Sequence, residues 1–212
     1  MELLREADEV GVLLRGHLWL EALVEYATRN KLERPDAIDW ASAHFDHKLA
    51  LGEAVGAIDP QLAVGLRGFN RLRNRIAHEL DFAVSEDDVK TFTGLLDAQH
   101  RRAAERVAEE QLDILRRIGE AEAQGFEVEF AEGLEWFPRV VTPARARLFG
   151  FVIAVAREIA VSGAFASVDR IEGDLDPTSF ARHLDAEVVR LTGGLFNFQP
   201  LVNAMGDSPP EA

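Results

Sequence analysis

Three times before residue 200 a capping residue is followed at once by proline: Asp59-Pro60, Thr142-Pro143 and Asp176-Pro177. Proline suits the first position of a helix, because the N–H it lacks would have no partner there and its fixed φ is already helical. The side chain before it can accept a bond from the open amides of the first turn. Each pair therefore predicts a helix start and argues against a strand through that point.

Between those starts the apolar spacing is also helical. Val10, Leu13, Leu14, Leu18, Leu20, Leu23, Val24 and Ala27 recur at three-and-four spacing, predicting an amphipathic helix over about 10–30 that Arg34-Pro35-Asp36 breaks. A second helix is expected over about 38–55, with Trp40, Phe45, Leu49 and Ala50 inward and Gly56 as its stop. The third opens at Asp59-Pro60. Ser85-Glu86-Asp87-Asp88 has capping-box character, and helical signal runs on to about Glu122, as one long helix or two nearly continuous ones. Four helices with short links predict an all-α, antiparallel bundle over residues 1–122. From Gly125 the texture changes. Residues 126–130 alternate like a short strand, and helices are expected over about 142–161 and 176–191. Residues 123–205 thus read as a smaller, mainly helical extension, and 206–212 as a disordered tail.

Composition narrows the chemistry. The absence of cysteine excludes disulfides, a thiolate nucleophile and cysteine-ligated metal. The first residues are acidic and lack the layout of a signal peptide. The apolar window over 148–161 is broken by Arg157 and Glu158 and is too short to span a bilayer. The expectation is a soluble, cytoplasmic protein with no membrane contact. A formal net charge of -14 repels nucleic acid overall, so any such binding must rest on a local basic patch.

That patch stands at residues 65–80. Arg67, Arg71, Arg73 and Arg75 occur there with no acid among them, and the run closes on Arg73-Asn74-x-x-x-His78. At about 100° per residue, Leu62, Leu66, Phe69, Ile76 and Leu80 share one stripe, and Arg67, Arg71, Asn74 and His78 the opposite one. Arg73 falls inside the apolar stripe, where a guanidinium needs an anion or an interface. On an unbroken helix Arg73 and His78 stand about 140° apart, whereas Arg71 shares a face with His78. Glu79 and Asp81 lie close enough in sequence to pair with either arginine.

The Arg73-Asn74-x-x-x-His78 string resembles the Arg-x(4–6)-His signature of the HEPN superfamily of helical bundles, in which a polar residue, often asparagine, follows the arginine. Residues 45–58, together with 72–78, look like the mannitol operon repressor branch of such bundles, and the likeness covers about 10–90. The resemblance implies a metal-independent endoribonuclease, a toxin or phage-defence effector acting on RNA as a homodimer, with an antitoxin or other regulatory protein as a further partner. It implies no cofactor and no metal. By match to the motif, His78 is the base that takes the ribose 2′-hydroxyl proton, Arg73 the phosphate clamp and Asn74 its orienting neighbour. Arg71, Arg67 and Arg75 would add phosphate binding. Arg71 also satisfies the looser spacing, so the choice between it and Arg73 stays open. The mannitol repressor branch implies a second reading, a non-catalytic transcriptional regulator or protein-interaction scaffold. Leu80 stands where the toxins often carry a tyrosine two residues after the histidine.

Other signals are weaker. His44 and His47 are three apart on an expected helix but have no third ligand in view. Asp169, Glu172, Asp174 and Asp176 lack the glycine and terminal glutamate of a calcium loop. Trp136, Phe137, Phe196 and Phe198 read as core.

Overall fold

All three proline-marked positions begin helices in the computed structural model, which describes residues 8–79, 82–124, 142–168 and 177–192. The described residues form α1 (Glu9–Lys31), α2 (Phe45–Ala54), α3 (Pro60–His78), α4 (Glu86–Thr93), α5 (Ala98–Ala123), α6 (Pro143–Val168) and α7 (Pro177–Thr192). A short 3₁₀ turn covers Pro35–Ala37. The class is all-α, with no strand among the described residues. At the start of α6 the Thr142 hydroxyl caps the helix, accepting from the Arg145 amide at 3.1 Å. The alternating stretch at 126–130, the aromatics Trp136, Phe137, Phe196 and Phe198, the acidic run at 169–176 and the tail at 206–212 lie outside the described residues.

Two boundaries differ from expectation, and the choice left open over 85–122 is settled. The second helix begins at Phe45, not near residue 38. Asp39 accepts from the Ser42 amide at 3.4 Å, and the Ser42 hydroxyl donates back to the Asp39 carbonyl at 3.2 Å. Such local bonds offer the backbone a turn in place of a helix. Trp40 is buried nonetheless, its indole N–H donating to the Pro35 carbonyl at 2.8 Å. Of the two options for 85–122, the chain takes the pair of helices. Asp97 breaks the run and caps α5 by accepting the His100 amide at 2.9 Å. Finally, α6 continues to Val168. The stretch Pro143–Ser167 is long and apolar enough to cross a membrane by length and composition, yet 61% of its most apolar window is buried inside the protein.

The chain divides into two compact units, each discontinuous in sequence: Met1–Leu20 with Pro60–Val155, and Glu21–Asp59 with Ala156–Ala212. These units do not coincide with the division near residue 122 read from sequence texture. The core of the first unit is a triangle of rings. Phe69 lies 5.6 Å from Phe92 and 5.1 Å from Phe151, and Phe92 meets Phe151 edge-on at 4.8 Å. Leu62, Leu66, Leu13 and Leu148 close around them, all fully buried. Each aromatic contact adds roughly 0.5–1.5 kcal/mol beyond simple burial. Beside the triangle, buried His17 of α1 meets Asn70 of α3, Nε2 to Oδ1, at 2.9 Å. Where α5 meets α6, a Cβ on Gly150 would stand 2.4 Å from the Ala104 carbonyl oxygen. Only glycine permits that approach.

The second unit packs Leu23, Val24 and Ala27 with Leu49, Ile58 and Ile159. Lys48 is buried and donates to Glu21 and Glu25, both at 2.9 Å. Burial pulls its pKa down, but the two carboxylates outweigh that and raise it above the ordinary lysine value. Tyr26 donates to Glu187, which also accepts two bonds from Arg190, at 2.8 and 2.7 Å.

This packing sets three expectations for urea unfolding. Gly150→Ala should cost about 1–3 kcal/mol through overpacking. Gly119→Ala, in α5 where nothing lies within 4 Å, should stabilise by up to about 1 kcal/mol. Lys48→Met leaves two facing carboxylates without their cation. Because both carboxylates are partly wet, the loss should be about 2 kcal/mol, below the usual cost of breaking a fully buried pair.

Candidate functional site

The candidate residues all lie on α3, whose packing ends abruptly. Leu62, Ala63, Leu66, Phe69, Asn70 and Leu72 are buried, and after Leu72 no residue of the helix is. Arg73 and Ile76 are half-buried; Asn74, Arg75, Ala77 and His78 are exposed. The last turn and a half therefore stands clear of the core. His78 is the final helical residue, and the Glu79 amide still donates to the Arg75 carbonyl at 3.0 Å. The helix thus stays regular through the motif.

A regular helix places the arginines unambiguously. Arg73 stands about 140° around the axis from His78, in line with Leu66, Phe69 and Ile76. Arg71 lies within about 20° of His78 and about 10 Å down the axis, so the two side chains stand on one lane of the helix surface. Arg73 donates to the Asn74 side chain at 3.1 Å, so these two neighbours form a polar pair. Half-buried Arg67 continues the His78 stripe toward the start of the helix. Among the described residues no hydrogen bond or ion pair engages Arg71 or His78.

Arg75 has a different setting. Its guanidinium meets Asp88 of α4 at 3.0 Å, reaches Glu79 at 3.7 Å and stacks over Phe82 at 3.9 Å. Glu79 thus pairs with Arg75, and not with Arg71 or Arg73 as its place in the sequence suggested; Asp81 and Leu80 lie outside the described residues. Asp88 also completes the capping box. It takes the Ser85 amide at 3.0 Å while its own amide donates to the Ser85 hydroxyl at 3.1 Å. Burial pushes the Asp88 carboxyl up, but the bonds from Ser85 and the Arg75 guanidinium outweigh it and hold its pKa below the ordinary 3.8.

Between α3 and α4 lies a groove of about 260 Å³. By chemistry its lining divides into an apolar part, the floor, of Leu72, Phe92 and Leu95, the exposed polar side chains Arg71 and Thr91, the rim, and the Arg75–Asp88 pair, the end wall. Gly68 lets the helices come this close, since a Cβ there would stand 2.7 Å from Phe92 Cβ. Sequence spacing marks Asp88 only as part of a cap and gives no signal for Thr91, Phe92 or Leu95 as site residues. No periodicity could have shown that α4 turns these side chains toward Arg71.

The remaining candidates do not assemble into a site. His44 and His47 face each other with ring centroids 6.1 Å apart, and no group of three metal-binding side chains comes together among the described residues. No family model, curated protein or solved structure matches this chain.

The Ser85–Asp88–Arg75 assembly has a pH signature. A carboxylate depressed in the folded state contributes stability that is present above its unfolded pKa and lost as pH falls through the folded value. The melting temperature should fall on acidification below about pH 4, and Asp88→Asn should flatten that part of the profile. Ser85→Ala at neutral pH should cost about 1 kcal/mol.

Proposed function

We propose that this chain is a metal-independent endoribonuclease of the HEPN type, cutting RNA by attack of a ribose 2′-oxygen. The observation that carries the reading is the exposed end of α3. There His78 and Arg71, both without partners among the described residues, share one face of a helix anchored in the core. A neutral imidazole can take the 2′-hydroxyl proton as a general base. The 2′-oxygen then bonds to phosphorus and the bond from phosphorus to the 5′-oxygen breaks. A 2′,3′-cyclic phosphate remains, and the departing 5′-oxygen takes a proton from the imidazolium of a second His78 or from water. A guanidinium fork holds the non-bridging oxygens and stabilises the charge that builds on them.

Within one chain the arginine placed to hold that phosphate is Arg71. Arg73, with Asn74 as its orienting neighbour, reaches the phosphate from a second copy whose α3 end lies alongside, which makes a homodimer the working unit. Arg67 extends phosphate binding along the same face. Arg75 contributes less, because Asp88 offsets its charge. Such an enzyme would act in the cytoplasm as a toxin or defence effector, held in check by an antitoxin or regulatory protein.

The net charge of -14 favours a second reading, a non-catalytic regulator or scaffold of the mannitol repressor kind acting through protein contacts. Labelled single-stranded RNA incubated with protein in EDTA separates the two. Cleavage should fall by about 10²–10⁴ in His78→Ala. It should fall by about 10²–10³ in Arg71→Ala and in Arg73→Ala. Identical traces for wild type and all three variants would sink the nuclease and leave the regulator. Loss in Arg71→Ala with full activity in Arg73→Ala would remove the role of the second copy's arginine.

A further inference from the structure

We infer that the groove between α3 and α4 is a nucleotide subsite, holding the base of a nucleotide against Leu72, Phe92 and Leu95 and its phosphate on Arg71. The inference rests on the nuclease reading for its place in the reaction, but the binding itself stands on the geometry of the groove.

The groove combines apolar surface from Leu72, Phe92 and Leu95 with the polar side chains of Arg71, Arg75, Asp88 and Thr91, the mix that a ligand with a flat ring and an anionic group requires. Leu95 is 39% exposed, so its apolar surface is wet and is covered when a planar ring lies on the floor. The volume of about 260 Å³ falls just short of the roughly 300–1,000 Å³ of drug-sized sites, which suits one nucleotide unit better than a run of chain.

The electrostatics point the same way. The Arg75 guanidinium is already met by Asp88, and Asp88 by Ser85, so the end wall is a closed pair with little net charge. Arg71, on the rim, is the cation engaged by no hydrogen bond or ion pair among the described residues. An anion entering the groove therefore meets Arg71. A guanidinium fork binds phosphate through two parallel bonds. Thr91, which also lines the groove, donates its hydroxyl to the Asp87 carbonyl at 2.7 Å, which leaves its oxygen lone pairs for a donor on the base.

Position ties the groove to the chemistry. Arg71 belongs both to the groove and to the stripe that ends at His78. A nucleotide with its phosphate on Arg71 thus lies along the helix face that leads to the base.

The test is calorimetric titration of the full chain in EDTA with adenosine 3′-monophosphate and, separately, with inorganic phosphate. The nucleotide should bind at least tenfold more tightly than phosphate. Arg71→Gln should weaken nucleotide binding about tenfold or more, and Thr91→Trp, which fills the groove from an exposed position, should abolish it. Equal affinity for nucleotide and phosphate, or wild-type binding by Thr91→Trp, overturns the subsite. RNA cleavage is scored in parallel. Nucleotide binding of the expected pattern by a protein that leaves RNA whole upholds the groove and removes the nuclease. Cleavage by Thr91→Trp at the wild-type kcat/KM removes the groove and leaves the nuclease standing.

Discussion

The contact on which the first unit depends is the packing of Phe69 against Phe92 and Phe151. Three rings with centroids within 5.6 Å of one another, fully or almost fully buried, fix α3 against α4 and α6. Gly68, one residue earlier, sets how near α4 can come. Once Phe69 is anchored, helical periodicity dictates everything beyond it. Leu72 is the last residue to reach the core, and Arg73 to His78 must project.

That projection turns a run of arginines into three separate roles. Arg75 points at α4 and is consumed by Asp88, in the pair that also closes the cap of α4. Arg73 continues the line of Leu66 and Phe69 but emerges past the core, where it meets only the side chain of its neighbour Asn74 among the described bonds. Arg71 and His78 share the remaining face. In a chain of net charge -14, a cationic face of this kind is a local exception, and it is the feature on which the proposed phosphate binding rests.

Much of this was legible before any coordinates. Pro60, Pro143 and Pro177 mark helix starts because the chemistry of a first turn is local, and Ser85 marks α4 for the same reason. The divided faces of α3 follow from a constant rotation per residue. What the sequence hid depends on contacts that are not local. The Asp39–Ser42 turn outcompeted a helix that Trp40 and Phe45 seemed to promise. Gly68 lets Phe92 and Leu95 come close to α3, and the groove they line with Arg71 and Thr91 is a consequence of packing distance that no spacing rule contains. The pairing of Arg75 with Asp88 joins residues thirteen apart on different helices, and it separates one arginine of the cluster from the rest.

The central claim is that the end of α3 is built to use the ribose 2′-oxygen as nucleophile. End-group analysis of RNA incubated with the protein in EDTA tests it most directly. The account predicts fragments carrying 2′,3′-cyclic phosphate and 5′-hydroxyl ends. Fragments with 5′-phosphate and 3′-hydroxyl ends, or RNA left intact, would contradict it.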